Sequence, residues 1–363
     1  MSFTEIKRRE IKNYILRKID EDEEALLAKT ADAFGISGTS VKRYIDAELS
    51  AGHIGIDEKR MCGLALVFNN ATFQYDMASL ADREDYALYT DVLPVMSVNT
   101  NADRIWRYVL PEIFNNAIEH SEGHKIDAYI ETSFLYNRVI VADDGIGIFN
   151  KIVTAMKRYG YSNPQPEDAI TELYKGKFTT CPERHTGEGI FFSMRMLDRV
   201  AIVSDGILLR SGYEGEASCV RSHLLAYAMR FNRKGTVVIM QLDNETRRDL
   251  TEIFDEYSDD EKAFIKTRIP VYEACMDHDP VARSQARRLQ NRLNNFEEAI
   301  LDFEKVDIMG QGFADELFRV YHNEHPEVTL TPINMNEQVH KMYLHALNTK
   351  VTVPDYSDTH LTR

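Results

Sequence analysis

Three short stretches carry residue types and spacings that could do chemistry. The first is Glu112-Ile-Phe-Asn115-Asn116, the second Asp143-Asp144-Gly145-Ile-Gly147, and the third Thr186-Gly187-Glu188-Gly189. Glu112 and Asn116 lie four apart, so on a helix they share one face. A carboxylate and an amide oxygen there could hold a metal–phosphate assembly, because Mg²⁺ takes few protein ligands and keeps waters and phosphate oxygens. Glu112 could also align or deprotonate a water. Asp143, followed by glycines, could accept from an exocyclic amine while the backbone approaches a flat ring. Gly187 and Gly189 could free backbone N–H groups to cradle phosphate.

These groups need elements to position them. Ile113, Phe114, Ala117 and Ile118 alternate with polar residues at helical spacing around the first stretch. The β-rich run Arg138 to Ala142 delivers Asp143 at a strand end. An apolar helical run from Ile190 to Leu197 follows Gly189, so the glycines open a helix whose N-terminus favours negative charge. Taken singly, each stretch has a plain alternative: a solvated helix face, a turn or a loop.

Their order and spacing together resemble the GHKL ATPase superfamily, also called the Bergerat fold, over about residues 61 to 245. That resemblance implies ATP and Mg²⁺ as ligands. It implies that Asn116 binds Mg²⁺, with Asn115 beside it, and that Glu112 is the general base of hydrolysing members. Asp143 would read the adenine amine, with Gly145 and Gly147 alongside. Thr186, Gly187 and Gly189 would close the ATP lid, which spans about 149–186. Thr236, in the strand-like Lys234-Gly-Thr-Val-Val-Ile-Met240, resembles the threonine that supports the adenine contact; an ordinary strand residue is the alternative. Lys175, Lys177 and Arg184 are lid cations that could meet the β- and γ-phosphates, or could be solvated charges. His185 reads as structural rather than as a proton carrier.

The chain has 363 residues, enough for two or three domains, and a formal net charge of −15. A generic polyanion binder is excluded, so any nucleic-acid contact must come from a local patch. No basic N-terminal segment leads into an apolar run, and no stretch approaches 18 consecutive apolar residues; neither a signal peptide nor a membrane span is expected. Cys62, Cys181, Cys219 and Cys275 are scattered without metal spacing, which fits a reducing cytoplasm.

Residues 1–53 read as helices, the expected domain is 1–60, and His53 to Ile56 with Gly63 to Phe68 could pair as a two-stranded wing. Ser37 is the expected N-cap of a helix from Gly38 to Ser50. The pattern resembles a winged-helix-like helix-turn-helix, with Thr39, Ser40, Lys42 and Arg43 facing DNA from the recognition helix. The alternative is a helical interaction module that never touches DNA.

Residues 242–263 are acidic and polar, and a linker is expected at 246–263. From 264 to 363 strand and helix patterns alternate, which argues a small α/β domain. Leu301-Asp-Phe303 followed by Gly310-Gln-Gly312 resembles the STAS-like domain found C-terminal to GHKL modules. STAS proteins include anti-anti-sigma factors, which carry a phosphorylated serine at this turn. Here Met309-Gly310-Gln311-Gly312 offers no hydroxyl. Arg283, Arg287, Arg288 and Arg292 recur at helical spacing, either to pair with the acidic linker or to bind phosphate or a partner.

The expected fold class is thus multidomain α/β: helix-turn-helix, central Bergerat sandwich, STAS-like end. The expected function is an ATP- and Mg²⁺-dependent regulator in bacterial transcription, stress or defence. Slow hydrolysis would switch DNA binding or protein binding by the flanking domains, with a homodimer possible. An anti-sigma-type protein kinase and a non-hydrolysing nucleotide-binding scaffold are the alternatives.

Overall fold

The computed structural model describes residues 3–80, 84–183, 186–213, 217–231, 234–259, 261, 263–275 and 278–348. In chain order the elements are α1 (Glu5–Asp20), α2 (Leu26–Phe34), α3 (Gly38–Ser50), β1 (Ile54–Ile56), β2 (Leu64–Leu66), β3 (Asn69–Asp76), α4 (Met77–Leu80), α5 (Glu84–Ala87), α6 (Thr100–His120), β4 (Lys125–Thr132), β5 (Tyr136–Asp143) and α7 (Ile148–Arg158). Then come α8 (Pro166–Lys175), α9 (Gly189–Met196), β6 (Arg199–Ser204), β7 (Ile207–Ser211), α10 (Ala217–Ala228), β8 (Val237–Asp243) and α11 (Leu250–Tyr257). The chain ends with β9 (Lys266–Pro270), α12 (Val271–Ala274), α13 (Arg283–Gln290), β10 (Glu298–Asp302), α14 (Gln311–Ala314), α15 (His322–Glu324), β11 (Thr329–Ile333) and α16 (Glu337–Asn348). The protein is mixed α/β. It divides into two compact units: 1–155 with 192–253, and 156–191 with 254–363. Residues 156–191, most of the expected lid, therefore group with the C-terminal third.

In the first unit, β3-β4-β5-β8-β6-β7 form a six-stranded sheet in which every neighbour is antiparallel. Side chains alternate across it. Ile140 and Ala142 of β5 join Leu224 and Ala228 of α10 in one core, which leaves Val139, Val141 and Asp143 on the other face. The long helix α6 packs against β5 and β8 with Ile105, Trp106, Val109, Leu110, Ile113 and Phe114 buried. It runs unbroken through Pro111, whose ring removes one ladder hydrogen bond.

The N-terminal helices belong to the same unit. Ile11, Ile15, Leu16 and Ile19 of α1 pack with Leu26, Val41, Ile45, Ile54 and Leu66, and with Leu135 and Tyr136 at the start of β5. Ser37 caps α3 by accepting from the Ser40 amide at 3.2 Å. β1 and β2 pair antiparallel. Glu48 of α3 is buried and satisfied by Lys12 at 3.1 Å and His53 at 2.7 Å, which ties α1, α3 and the hairpin together. Arg17 pairs with Asp243, Arg9 with Glu245, and Asp20 accepts from the Tyr136 hydroxyl at 3.0 Å.

In the second unit, three parallel strands in the order β11-β10-β9 carry a core of Ile269, Ala299, Leu301, Phe303, Phe313, Leu317 and Val339. α13, α14, α16 and a π-helical turn at Asp315–Tyr321 cover it. Cys62, Cys181 and Cys275 are free thiols, and among the described residues no helix is long and apolar enough to cross a membrane.

Candidate functional site

Asp143 ends β5 and is 5 % exposed. Its Oδ1 accepts from the Gly145 amide at 2.9 Å and the Thr236 amide at 3.2 Å. Its own amide donates to the Thr236 carbonyl at 2.9 Å. Burial raises its pKa above the ordinary carboxylate value, and the two amide bonds oppose that shift. Thr236 is a second anchor, because its hydroxyl accepts from the Ile148 amide at 3.0 Å where α7 begins.

Glycines are required here by close approach. A Cβ on Gly145 would overlap the Ser121 carbonyl, and one on Gly235 would overlap the Asp143 backbone. Gly147, at φ +85°, faces the Ser204 hydroxyl.

The first and second stretches thus come together. Ser121, the C-cap of α6, accepts from the Ile146 amide at 2.8 Å. The Asp144 carboxylate accepts from the His124 and Lys125 amides at 2.7 and 3.0 Å. These bonds pin the end of α6 to the loop after β5. Asn116 lies five residues before Ser121 and Glu112 nine, or roughly 7–8 Å and 13–14 Å back along the helix. Glu112, Asn115 and Asn116 are all half-buried. Among the described residues no group of three or more His, Cys, Asp or Glu could hold a metal. An ion beside Asn116 would therefore take most of its ligands from phosphate and water, as Mg²⁺ accepts.

Ser121, Gly235, Ser204 and Asp144 hold this loop without having been singled out in the sequence. The signal for Ser121 was its place just past the amphipathic run. For Gly235 and Ser204 there was none, since their role depends on contacts distant in sequence.

The third stretch lies in the other unit and is described there. Gly187, at φ +79°, packs on the Phe178 backbone, Gly189 opens α9, and Thr186 is exposed. Arg184 and His185 lie outside the described residues. Lys175 and Lys177 are not solvent-facing lid cations. Lys175 is 1 % exposed and donates to Glu172 at 2.6 Å and to the Asn291 carbonyl at 2.5 Å. Burial lowers its pKa, and Glu172 opposes that. Lys177 donates to the Asn295 carbonyl at 2.8 Å, and its ammonium lies 4.6 Å from the Phe296 ring centre. To reach a phosphate, Lys175 would have to leave Glu172 buried without its partner, a strongly unfavourable step.

On α3, Thr39, Lys42 and Arg43 are exposed. Ser40 is half-buried and its hydroxyl meets that of Ser37 at 3.0 Å.

In the second unit, among the described residues, Arg283, Arg287, Arg288 and Arg292 form no ion pair with the acidic linker. Arg283 reaches Asp315 and Glu316 at 2.8 and 3.1 Å, Arg287 reaches Glu316 at 2.7 Å, and Arg288 faces Asp168 at 3.3 Å. Arg292 leaves the helix at φ +59° and donates to the Lys177 carbonyl at 2.9 Å. The turn before α14 is tightly packed: Gly310 donates to the Pro280 carbonyl at 2.9 Å, and a Cβ there would overlap Val281.

Residues 285–340 match the family model of a STAS-like domain of unknown function (DUF4325). No curated protein matches the chain. The STAS-like domain thus includes the last part of α13, β10, the Gly310 turn and β11. Its turn offers two glycines and a glutamine where a phosphoacceptor would need a hydroxyl.

Proposed function

We propose that the first unit binds an adenine nucleotide with Mg²⁺ in the GHKL manner and that this binding regulates contacts made by the flanking domains. The observation that carries the reading is the buried Asp143. Its carboxylate is oriented by two backbone amides, set among glycines packed on the Ser121 and Asp143 backbones and the Ser204 hydroxyl, and tied through Ser121 to the helix bearing Glu112 and Asn116. A carboxylate so held is an acceptor preorganised for an exocyclic amine.

In this reading Asp143 accepts from the adenine amine, and Thr236 with Gly145 and Gly147 shapes the floor of the site. Asn116 gives one oxygen to the metal, which neutralises phosphate charge when bound. Glu112 orients and deprotonates the attacking water. The N-terminal helices act as a winged helix-turn-helix that meets DNA through Thr39, Lys42 and Arg43, with Ser40 at the helix start. The STAS-like domain meets a protein partner.

The test is ATP binding and phosphate release by the full chain beside Asp143→Asn and Glu112→Ala. Wild type should bind and slowly hydrolyse, Asp143→Asn should bind about 10- to 100-fold more weakly, and Glu112→Ala should bind without turnover. Absence of any ATP binding by wild type would sink the reading. Binding without hydrolysis would move it to phosphotransfer or to a scaffold.

A further inference from the structure

A cavity of about 620 Å³ opens within the second unit between residues 159–168 and α13. That volume lies in the range of roughly 300–1,000 Å³ typical of small-molecule sites. Its walls carry Tyr159, Tyr161, Ser284, Arg287, Arg288 and Arg292. Three guanidinium groups around one hollow run against the chain's formal charge of −15.

Two carboxylates, Glu167 and Asp168, share the wall, and among the described residues Glu167 pairs with none of these cations. Asp168 accepts from the Gln165 amide at 2.8 Å with one oxygen and faces Arg288 Nε with the other. Arg287 gives only its Nε, to Glu316, and Arg292 one terminal nitrogen, to the Lys177 carbonyl. A guanidinium has five N–H donors in a planar fork. Among the described residues, the remaining N–H groups of Arg287 and Arg288 form no hydrogen bond. Arg292 is held in place by the Tyr159 and Phe178 rings, 5.8 and 5.3 Å from its guanidinium carbon. Held arginine forks with spare donors suit phosphoryl oxygens, which they meet in bidentate fashion.

We infer that this cavity binds a small di- or polyphosphate anion of nucleotide size, with Arg287, Arg288 and Arg292 as its phosphate ligands. Bound there, the anion bridges residues 159–168 to α13 and orders the connection between them. The site is independent of Asp143, since no residue of the first unit lines it.

The experiment uses the full chain carrying Asp143→Asn, so that a failure of the adenine reading and a failure of this one give different results. Inorganic pyrophosphate and ADP are titrated calorimetrically at low ionic strength, where charge attraction is least screened. Both should bind, at least tenfold more weakly after Arg287→Gln with Arg288→Gln. Lys341→Gln, far along the sequence and 72 % exposed, should bind as before. ADP binding tighter than pyrophosphate would identify a nucleotide as the ligand; equal binding would identify the phosphates alone. Hydrogen exchange of the amides at 159–165 should slow on addition of pyrophosphate. The arginine pair is expected to fold, because Arg283 still meets Glu316 and Gln165 still donates to Asp168. Equal melting temperatures check that point. No binding of either probe, or binding indifferent to both arginines, would overturn the inference.

Discussion

Burial disfavours the charged form of a carboxylate, yet the adenine reading needs Asp143 ionised. Its raised pKa means that the folded chain holds its proton to higher pH than the unfolded chain does. Stability from this group is therefore full below the ordinary value of 3.8 and is lost as pH rises through the folded value. Asn in its place keeps an oxygen for the Gly145 and Thr236 amides and has no charge to bury. In melts from pH 3 to 8, Asp143→Asn should gain on wild type as pH rises, and the opposite trend would mean that the charge stabilises the loop. The same variant should bind ATP about 10- to 100-fold more weakly, the size of one lost hydrogen bond to a charged acceptor. At this scale the sequence was uneven. Asp143, Gly145 and Thr236 lie together, but only the resemblance put Thr236 beside Asp143, since no local spacing links residues so far apart in sequence. Lys175 does not face solvent: a Lys-Gly-Lys run reads as surface, and only the fold supplies the Glu172 carboxylate and Asn291 carbonyl that take the ammonium inside. Gly235 was read only as part of a strand-like run, because the backbone it must clear lies some ninety residues away in sequence, at Asp143.

Elements were more legible than side-chain partners, because periodicity is local and pairing is not. Ser37 and the Gly38–Ser50 helix follow from a hydroxyl residue before an amphipathic run. The alternating pattern after residue 264 yields three strands, but their parallel order β11-β10-β9 needs the structure. α6 is one helix across Pro111, and its buried face compensates the missing ladder bond that a sequence reader counts against it. The surface of α3 has a testable division of labour. Ser37→Ala removes the cap and should cost about 1 kcal/mol of stability. Lys42→Ala and Arg43→Ala alter exposed side chains and should leave the melt within about 0.5 kcal/mol. If α3 meets DNA, each of those two should weaken binding across sequences and reduce the salt slope by about one. Unchanged DNA affinity in both would return these helices to a protein-interaction role.

One strand spans the first unit from its helical end to its nucleotide candidate. β5 begins at Tyr136, inside the core shared with α1, α2 and α3, and ends at Asp143. Eight residues of strand cover roughly 24 Å between those two side chains. The Tyr136 hydroxyl donates to Asp20 at the end of α1 and accepts from Arg138, and Arg17 of α1 pairs with Asp243 at the end of β8. A rigid antiparallel sheet thus joins the proposed nucleotide and DNA surfaces without a linker. If nucleotide alters DNA affinity by some factor, DNA must alter nucleotide affinity by the same factor, since both report one coupling free energy. We expect that factor to lie between about 5 and 150, the usual range for such coupling. It should be read by titrating DNA with and without Mg²⁺ and ATP, and ATP with and without DNA. Glu112→Ala should be used for both titrations so that turnover does not blur the nucleotide state. Tyr136→Phe keeps the packed ring and removes the hydroxyl that holds α1. It should shrink the factor toward one while each ligand alone binds as before. Equal coupling in Tyr136→Phe would mean that the hydroxyl carries none of it. A factor of one in the parent chain would mean that ATP and DNA bind the same unit without informing each other, and regulation would then have to run through the STAS-like domain.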